Sequence, residues 1–138
     1  MSQRIREIMT SNPSTVELDK TVVDAARIMK QEDAGVVPVT ENGRLTGMVT
    51  DRDIAIRVVA EGKDPKSTAV REVASSNLVT IDPEQDLDEA LRLMAQHQVR
   101  RLPVVEEGGR LVGVVAQADV ARQGDDTQTG KVVQEISE

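Results

Sequence analysis

Apolar residues recur at three- and four-residue spacing along residues 22–29 and 87–94, and mostly charged and polar residues fill the positions between them. This period predicts two helices, each with one buried stripe. An N-cap signal precedes each of them, because Thr21 stands three residues before Asp24 and Asp86 stands three residues before Glu89. The pattern therefore predicts two amphipathic helices with defined first residues.

Short valine-rich runs surround these helices. Two β-prone stretches precede them, at residues 14–16 and 79–81. Two pairs of apolar runs follow them, each pair joined by a polar turn that contains glycine, which predicts two β-hairpins. The hairpin strands are residues 36–39 with 45–49, and 102–105 with 111–115.

Each hairpin carries a proline in its first strand, Pro38 or Pro103. Proline cannot donate to a β-ladder, so these strands are expected at edge or bulged positions. A further helix is expected to begin near Asp51 and to run toward Gly62, where glycine can close it in the left-handed conformation. The equivalent helix of the second half is expected to begin near Gln117.

The whole pattern occurs twice, with an offset of about 65 residues. Thr15-Val16 matches Thr80-Ile81, and Pro38-Val39 matches Pro103-Val104. One extra glycine in the second turn shifts the register by a residue, after which Asp53 matches Asp119. The prediction is a mixed α/β (α+β) chain of two β-α-β-β-α repeats, at residues 4–62 and 69–122. Residues 63–68 form a polar linker, and residues 123–138 form a C-terminal tail whose apolar positions suit a short docking helix.

A repeat of this length is marginal alone, since so short a chain buries a small share of its surface. We therefore expect the two repeats to pack their sheets face to face with pseudo-two-fold symmetry. Equivalent residues of both repeats would then line a groove between them, which is where ligand sites would form.

The amino-acid composition argues against several classes of function. The 138 residues include no Phe, Tyr or Trp, and the net charge is −7, so neither base stacking nor phosphate neutralisation favours a nucleic-acid partner. No apolar run is long enough to span a membrane, and the absence of Cys is neutral to slightly favourable for a reducing compartment, so the cytoplasm is the expected location. With one histidine, His97, the chain has no multi-histidine metal site or serine-histidine relay, and it carries no phosphate-binding glycine loop. These observations argue against an enzyme.

The β-α-β-β-α order, the Pro-Val strands, the Arg-Leu-x-Gly turns at residues 44–47 and 110–113, and the closing Thr50-x-x-Asp53 together resemble the CBS domain. The tandem arrangement covers about residues 4–122 and is similar to a stand-alone CBS pair, or Bateman-type module. The segments at residues 48–53 and 97–104 resemble those of small actinobacterial and archaeal CBS-pair proteins, including hypoxia-response ones.

The resemblance implies a non-catalytic regulatory module that senses an adenosine-type nucleotide in the cleft between its repeats. AMP, ADP or ATP are the first candidates, and NAD or S-adenosylmethionine come after them. No cofactor or metal is required, and the family implies a homodimer that passes its signal to an effector protein. Its adenine slot is aliphatic, which suits a chain without aromatic residues.

Two sites follow from the resemblance, position by position. In each, an aspartate would bind the ribose hydroxyls, while a hydroxyl side chain and an arginine would approach ribose or phosphate. The first site would use Thr50 and Asp53, with Thr15, Val16, Val37 and Pro38 as walls and backbone groups. The second would use Asp119 and Arg101, with Thr80, Ile81, Leu102 and Pro103. The sites are incomplete in opposite ways, because Val36 stands where the arginine would be in the first and Ala116 where the threonine would be in the second.

Alternative interpretations stay open. Thr50 and Asp53 also fit a capping box at a helix start, and the two roles are compatible. Ala116 stands three residues before Asp119, so a reciprocal cap is impossible there and the position of Asp119 is harder to explain by capping alone. Arg101 is also compatible with a solvated residue or a surface salt bridge. The whole chain would then be a ligand-free CBS dimer with degenerate nucleotide sites that works as a structural or protein-interaction module.

Overall fold

The computed structural model describes residues 3–123, which form a mixed α/β structure with two three-stranded sheets. These residues divide into two compact units. The first-repeat unit comprises Ser14–Leu78, and the second-repeat unit comprises residues 3–13 together with residues 79–123. The predicted docking helix of the tail lies outside the described residues.

The first-repeat unit follows the predicted order, and its sheet order is β2-β3-β4. The strand β2 runs parallel to β3, and β3 and β4 form the predicted hairpin. Its elements are β2 (Val16–Glu17), helix α2 (Val22–Glu32), β3 (Val36–Glu41), β4 (Arg44–Thr50), helix α3 (Asp51–Ile54), a π-helical turn (Ala55–Val59) and a 3₁₀ turn (Val70–Glu72).

The second-repeat unit includes residues 3–13, although the sequence assigns residues 4–13 to the first repeat. Its sheet order is β1-β6-β5, in which β1 pairs antiparallel with β6. Residue Ile81 forms an isolated parallel bridge to Val104, which is the counterpart of the β2–β3 pairing. The elements are helix α1 (Ile5–Ile8), β1 (Thr10–Ser11), helix α4 (Leu87–His97), β5 (Arg101–Val105), β6 (Leu111–Ala116) and helix α5 (Gln117–Gln123).

The two long helices begin where their sequences predict and extend three residues beyond the predicted apolar pattern. The side chains of Thr21 and Asp86 accept hydrogen bonds from the backbone N–H groups of Asp24 and Glu89, which confirms both N-caps. Each helix ends at a residue in the left-handed conformation. The buried stripe of each helix packs on its own sheet, so each unit has a separate hydrophobic core.

The prolines do not both lie on edge strands. Pro103 lies on β5, at the edge of its three-stranded sheet, whereas Pro38 lies on β3, the central strand. For Pro38 the edge alternative was wrong, and the bulge alternative fits better, since β3 carries a bulge one residue beyond it. The proline is tolerated because β2 pairs with β3 only from Val39 onward. A β-bulge lies one residue further on in both units, between Val39 and Thr40 and between Val104 and Val105.

Two equivalent glycines allow a third chain segment to approach each hairpin. A Cβ atom on Gly47 would lie 2.7 Å from the carbonyl oxygen of Ser75, and one on Gly113 would lie 2.8 Å from that of Thr10. Met48 and Ser75 exchange two backbone hydrogen bonds at this approach. Glycine is therefore required here for space rather than for an unusual backbone angle.

Candidate functional site

Thr50 and Asp53 meet at the start of α3, directly after β4. The Thr50 hydroxyl accepts from the Asp53 backbone N–H at 3.0 Å, and Asp53 Oδ2 accepts from the Thr50 backbone N–H at 2.9 Å. The predicted capping box is therefore present. Asp53 is half-buried, and its Oδ1 has no partner among the described residues, so one carboxylate oxygen is available to another group.

Asp119 occupies the same position at the start of α5. Its Oδ2 accepts from the Ala116 backbone N–H at 2.8 Å, so the aspartate caps the helix even though the reciprocal hydroxyl is missing. This corrects the expectation that capping explains Asp119 less well than Asp53. The carboxylate needs only a backbone N–H as its donor, and Ala116 supplies one. Its Oδ1 accepts from Arg122 Nη2 at 2.6 Å. Both oxygens of Asp119 are thus engaged.

Strand pairing brings together the positions at which the two sites differ. Val36 pairs directly with Thr50 across β3 and β4, and Arg101 pairs directly with Ala116 across β5 and β6. Side chains at directly opposed positions are close neighbours on one face of a sheet. Each unit therefore presents one half of the hydroxyl and arginine pair beside its aspartate.

Arg101 is exposed, and its guanidinium has no hydrogen bond or ion pair among residues 3–123. It begins β5 beside the start of α5, where the Gln117 backbone N–H donates to the Arg100 carbonyl at 2.7 Å. Arg101 is free to contact an anion. The neighbouring Arg100 is exposed as well.

The remaining predicted residues fall into two groups. Thr15 and Thr80 are exposed, Thr15 directly before β2 and Thr80 directly before the isolated bridge residue Ile81. The others are buried, so they can contribute backbone groups to a ligand site, but their side chains have little accessible surface. These buried residues are Val16, Val37, Pro38, Ile81, Leu102 and Pro103.

An open depression of about 300 Å³ lies beside Thr15 and Val16 in the first-repeat unit. Its further lining comes from β2, from one side of α2 and from the turn between them. Sequence reasoning did not identify the charged members of this lining, because each of them reads as an ordinary solvated surface residue. They are Glu17, Lys20 and Asp24.

Glu17 is held in its charged form by its surroundings. The Thr40 hydroxyl donates to Glu17 Oε2 at 2.6 Å, and the Asn42 backbone N–H donates to Oε1 at 3.2 Å. These hydrogen bonds, the one from Thr40 first, lower the pKa of the Glu17 carboxyl below its usual 4.5. This edge of the depression is therefore negative at neutral pH.

Within residues 3–123, no three His, Cys, Asp or Glu side chains are grouped so that they could hold a metal ion. No helix in the same range combines the length and apolar character needed to cross a membrane.

Close relatives share nearly the whole chain. CBS domain-containing protein YhcV of Bacillus subtilis is 45% identical over 134 residues, which are 96% of this chain and 94% of YhcV. The crystal structure of Hypoxic Response Protein I with two coordinated zinc ions superposes with a TM-score of 0.80 at 39% identity. That match covers 89% of this chain and 100% of the other.

A more distant structure shares the fold alone. CBSX2 in complex with AMP has a TM-score of 0.74 at 23% identity, over 86% of this chain and 93% of that one.

The CBS-domain family model matches twice, at residues 5–60 and 70–125. The chain therefore belongs to the CBS-domain family and carries a tandem pair of its domains.

Proposed function

We propose that this chain is a non-catalytic regulatory module that binds an adenosine-type nucleotide, with Asp53 and Asp119 as the residues that accept hydrogen bonds from the ribose. The observation that carries the proposal is the equivalence of these two half-buried carboxylates, each held at the start of a helix by the backbone N–H three residues earlier. The same hydrogen bond in both units fixes each carboxylate in one orientation. The AMP complex of CBSX2, which has the same fold, supports this ligand class.

The first-repeat unit offers the more accessible carboxylate. Asp53 Oδ2 is engaged by the backbone, but Oδ1 has no partner in the described part of the chain, so it can accept from a ribose hydroxyl. A hydrogen bond to a charged acceptor contributes about 1.5 to 3 kcal/mol. That range corresponds to roughly 10- to 100-fold in affinity.

The second-repeat unit offers the better phosphate ligand. Arg101 is exposed and unpaired within residues 3–123, and a guanidinium matches phosphate oxygens with two parallel donors. Its opposite neighbour is Ala116, so the guanidinium is the only side-chain donor of this opposed pair. The two units therefore suit different parts of a nucleotide, with ribose recognition stronger in the first and phosphate recognition stronger in the second.

Thermal unfolding with and without nucleotide tests the proposal. A ligand at a hundred times its dissociation constant stabilises the folded state by about 2.7 kcal/mol, which is easily seen as a rise in Tm. We expect AMP, ADP or ATP to raise the Tm of the wild type, with NAD and S-adenosylmethionine as the other members of the panel. The Asp53→Asn, Asp119→Asn double variant should lose this rise, while its asparagine oxygens still accept the capping hydrogen bonds.

A charge-matched control separates site chemistry from net charge. Asp33 and Glu61 are exposed and without partners among residues 3–123, and Asp33 is in the left-handed conformation, which asparagine also adopts. The Asp33→Asn, Glu61→Gln variant should respond to nucleotide as the wild type does. A nucleotide-dependent rise in Tm that survives in the Asp53, Asp119 variant would contradict the site assignment. Equal responses to AMP and 2′,3′-dideoxy-AMP would contradict ribose recognition by these carboxylates.

A second candidate function is a ligand-free interaction module, and one contact favours it. Arg122 engages the carboxylate oxygen of Asp119 that a ribose would need. Ile56 and Val59 are also 45% and 69% exposed on the helical segment that follows Asp53, which suits contact with another protein surface. A Tm unchanged across the whole nucleotide panel, together with a stable oligomer in sedimentation equilibrium, would establish this function instead.

A further inference from the structure

The first-repeat unit contains a second cavity, of about 220 Å³, that shares no residue with the nucleotide site proposed above. It lies near the turn of the β3–β4 hairpin. Thr46, which lines it, is four residues from Thr50 along β4, a separation of about 13 Å at the usual rise of a strand. The cavity is therefore at the opposite end of the hairpin from Asp53.

In the second-repeat unit a methionine occupies the space that is equivalent to this cavity. The Met9 Sδ atom lies 2.6 Å from the position that a Cβ on Gly113 would take, and Met9 packs against the core of its unit. In the first-repeat unit the nearest side-chain atom to the same point on Gly47 is the Cβ of Ala74, at 3.6 Å. Replacement of methionine by alanine at one of two equivalent positions opens the space.

The β-bulge adds to the difference. Val39 pairs with Gly47 and Thr40 pairs with Leu45, so Thr46 is the extra residue of the bulge. Its hydroxyl donates to the Val39 carbonyl at 3.2 Å. The equivalent bulge residue of the other unit is Val112, which packs against its core. A bulge redirects a side chain, and here it directs a polar one toward the cavity.

Arg71, whose side chain has no partner among residues 3–123, lines the same cavity. The equivalent arginine, Arg6, donates to Glu84 Oε2 at 2.8 Å, which raises its pKa. Backbone hydrogen bonds place Arg71 in the same way, because the N–H of Arg71 donates to the Leu18 carbonyl as the N–H of Arg6 donates to the Pro83 carbonyl. The residue that corresponds to Glu84 is Asp19, which is one methylene shorter and makes no ion pair with Arg71.

Two serine hydroxyls complete the donor set. Ser75 and Ser76 line the cavity beside Arg71, and Ser75 Oγ accepts from the Asn77 backbone N–H at 3.4 Å, which leaves its hydroxyl hydrogen free to donate. Ser76 has no partner among the described residues. A guanidinium and two hydroxyls around a small cavity match the oxygens of a tetrahedral anion, which are all acceptors when charged.

We propose that the cavity beside Arg71 binds a small phosphate-bearing anion, with Arg71, Ser75 and Ser76 as donors. Its volume is below the 300 to 1,000 Å³ typical of sites for drug-sized ligands, so the ligand is inorganic phosphate or a small phosphomonoester rather than a nucleotide. The site gives the module a second input that is chemically separate from adenosine recognition.

Titration calorimetry of the full chain with inorganic phosphate, and separately with glycerol 3-phosphate, tests this proposal. The ionic strength is held constant with a chloride salt. Arg71→Gln should weaken binding by roughly tenfold or more, since it removes the charged donor. Ala74→Met should abolish binding because it copies Met9 and fills the space. The matched control is Arg27→Gln, which removes an exposed charge of the same unit outside the cavity and should bind as the wild type does.

The outcomes are distinguishable from those of the nucleotide experiment. Phosphate binding should persist in the Asp53→Asn, Asp119→Asn variant, and Arg71→Gln should leave the AMP response intact. Tighter binding of inorganic phosphate than of the ester identifies the free anion as the ligand, and the reverse order identifies the ester. No saturable binding of either compound to the wild type, or equal binding by wild type and Arg71→Gln, would overturn the proposal.

Discussion

Arg122 Nη2 lies 2.6 Å from Asp119 Oδ1, one turn along the same helix, and its guanidinium thereby engages the oxygen that the backbone leaves free. The side chain of Asp119 is only 13% exposed, whereas that of Arg122 is 69% exposed. The first repeat has Ile56 at the position of Arg122, so Asp53 is not closed in this way. Two aspartates with the same backbone contact therefore differ in their availability to a ligand.

Substitutions that exchange Arg122 and Ile56 should reverse the difference in nucleotide affinity between the two sites. Arg122→Ile removes the competitor of Asp119, and an exposed ion pair contributes about 0.2 to 1 kcal/mol, so we expect nucleotide affinity at that site to rise by up to about fivefold. Ile56→Arg should lower affinity at Asp53 by a similar factor. Titration calorimetry with AMP measures both changes, and unchanged affinity in both variants would show that Arg122 does not compete with the ligand.

Removal of the threonine at the first helix start and addition of one at the second should change the free energy of unfolding in opposite directions. Thr50→Ala removes the hydroxyl that accepts from the Asp53 N–H and should lower the free energy of unfolding by about 1 kcal/mol. Ala116→Thr adds the missing half of the second box and should raise it by a smaller amount. Urea denaturation measures both, with Thr50→Ser as the control that keeps the hydroxyl. Destabilisation by Ala116→Thr would mean that β6 cannot accommodate the larger side chain.

The local parts of this structure follow from short sequence patterns. The N-caps at Thr21 and Asp86 and the two hairpins need only neighbouring residues, and the repeat makes each assignment twice. The positions of Asp53 and Asp119 at helix starts were likewise predictable, because the same few residues define them.

The features that escaped prediction depend on packing between distant segments. The sequence could not decide between an edge and a bulged position for Pro38, because the extent of β2 determines whether a ladder donor is needed at residue 38. The cavity beside Arg71 arises because the first-repeat unit has Ala74 at the position where the second-repeat unit has Met9. Neither residue is close in sequence to the hairpin against which it packs. The competitor Arg122 reads as an ordinary surface residue until the orientation of the Asp119 carboxylate is known.

The close approach at Gly47 predicts a steric cost that differs in kind from that at Gly62. An alanine Cβ at residue 47 would meet the Ser75 carbonyl and disturb two backbone hydrogen bonds, so Gly47→Ala should cost about 3 kcal/mol or more. Gly62 has open space around it but a φ of 69°, so Gly62→Ala should cost about 1 to 2 kcal/mol. Urea denaturation compares the two, and Gly62→Asn should cost less than Gly62→Ala because asparagine adopts the left-handed conformation more readily. An equal cost for residues 47 and 62 would contradict the close approach.

The lowered pKa of Glu17 predicts a pH-dependent contribution to stability. A carboxyl whose pKa is lower in the folded than in the unfolded chain stabilises the fold above the unfolded value, about 4.5, and this stability is lost as pH falls through the folded value. Thr40→Val removes the main hydrogen bond, so its Tm should lie below that of the wild type at neutral pH, and the gap should narrow as pH drops below 4.5. Thermal unfolding between pH 3 and 7 measures the gap, and Glu17→Gln in both backgrounds should remove its pH dependence. A gap that stays constant with pH would assign the effect of Thr40→Val to packing alone.

The opposed pairs Val36–Thr50 and Arg101–Ala116 predict which unit recognises phosphate. Arg101→Ala should weaken AMP binding by roughly 10- to 100-fold while leaving adenosine binding nearly unchanged, because only the phosphate contact is lost. Val36→Arg places a guanidinium opposite Thr50 and should raise the preference of the first-repeat unit for AMP over adenosine. Parallel titrations with AMP and adenosine measure this preference, and Arg100→Ala is the control, since Arg100 is exposed on the residue before β5. If Arg101→Ala and Arg100→Ala weaken AMP binding equally, the effect comes from general charge, and the phosphate contact must be assigned to other residues.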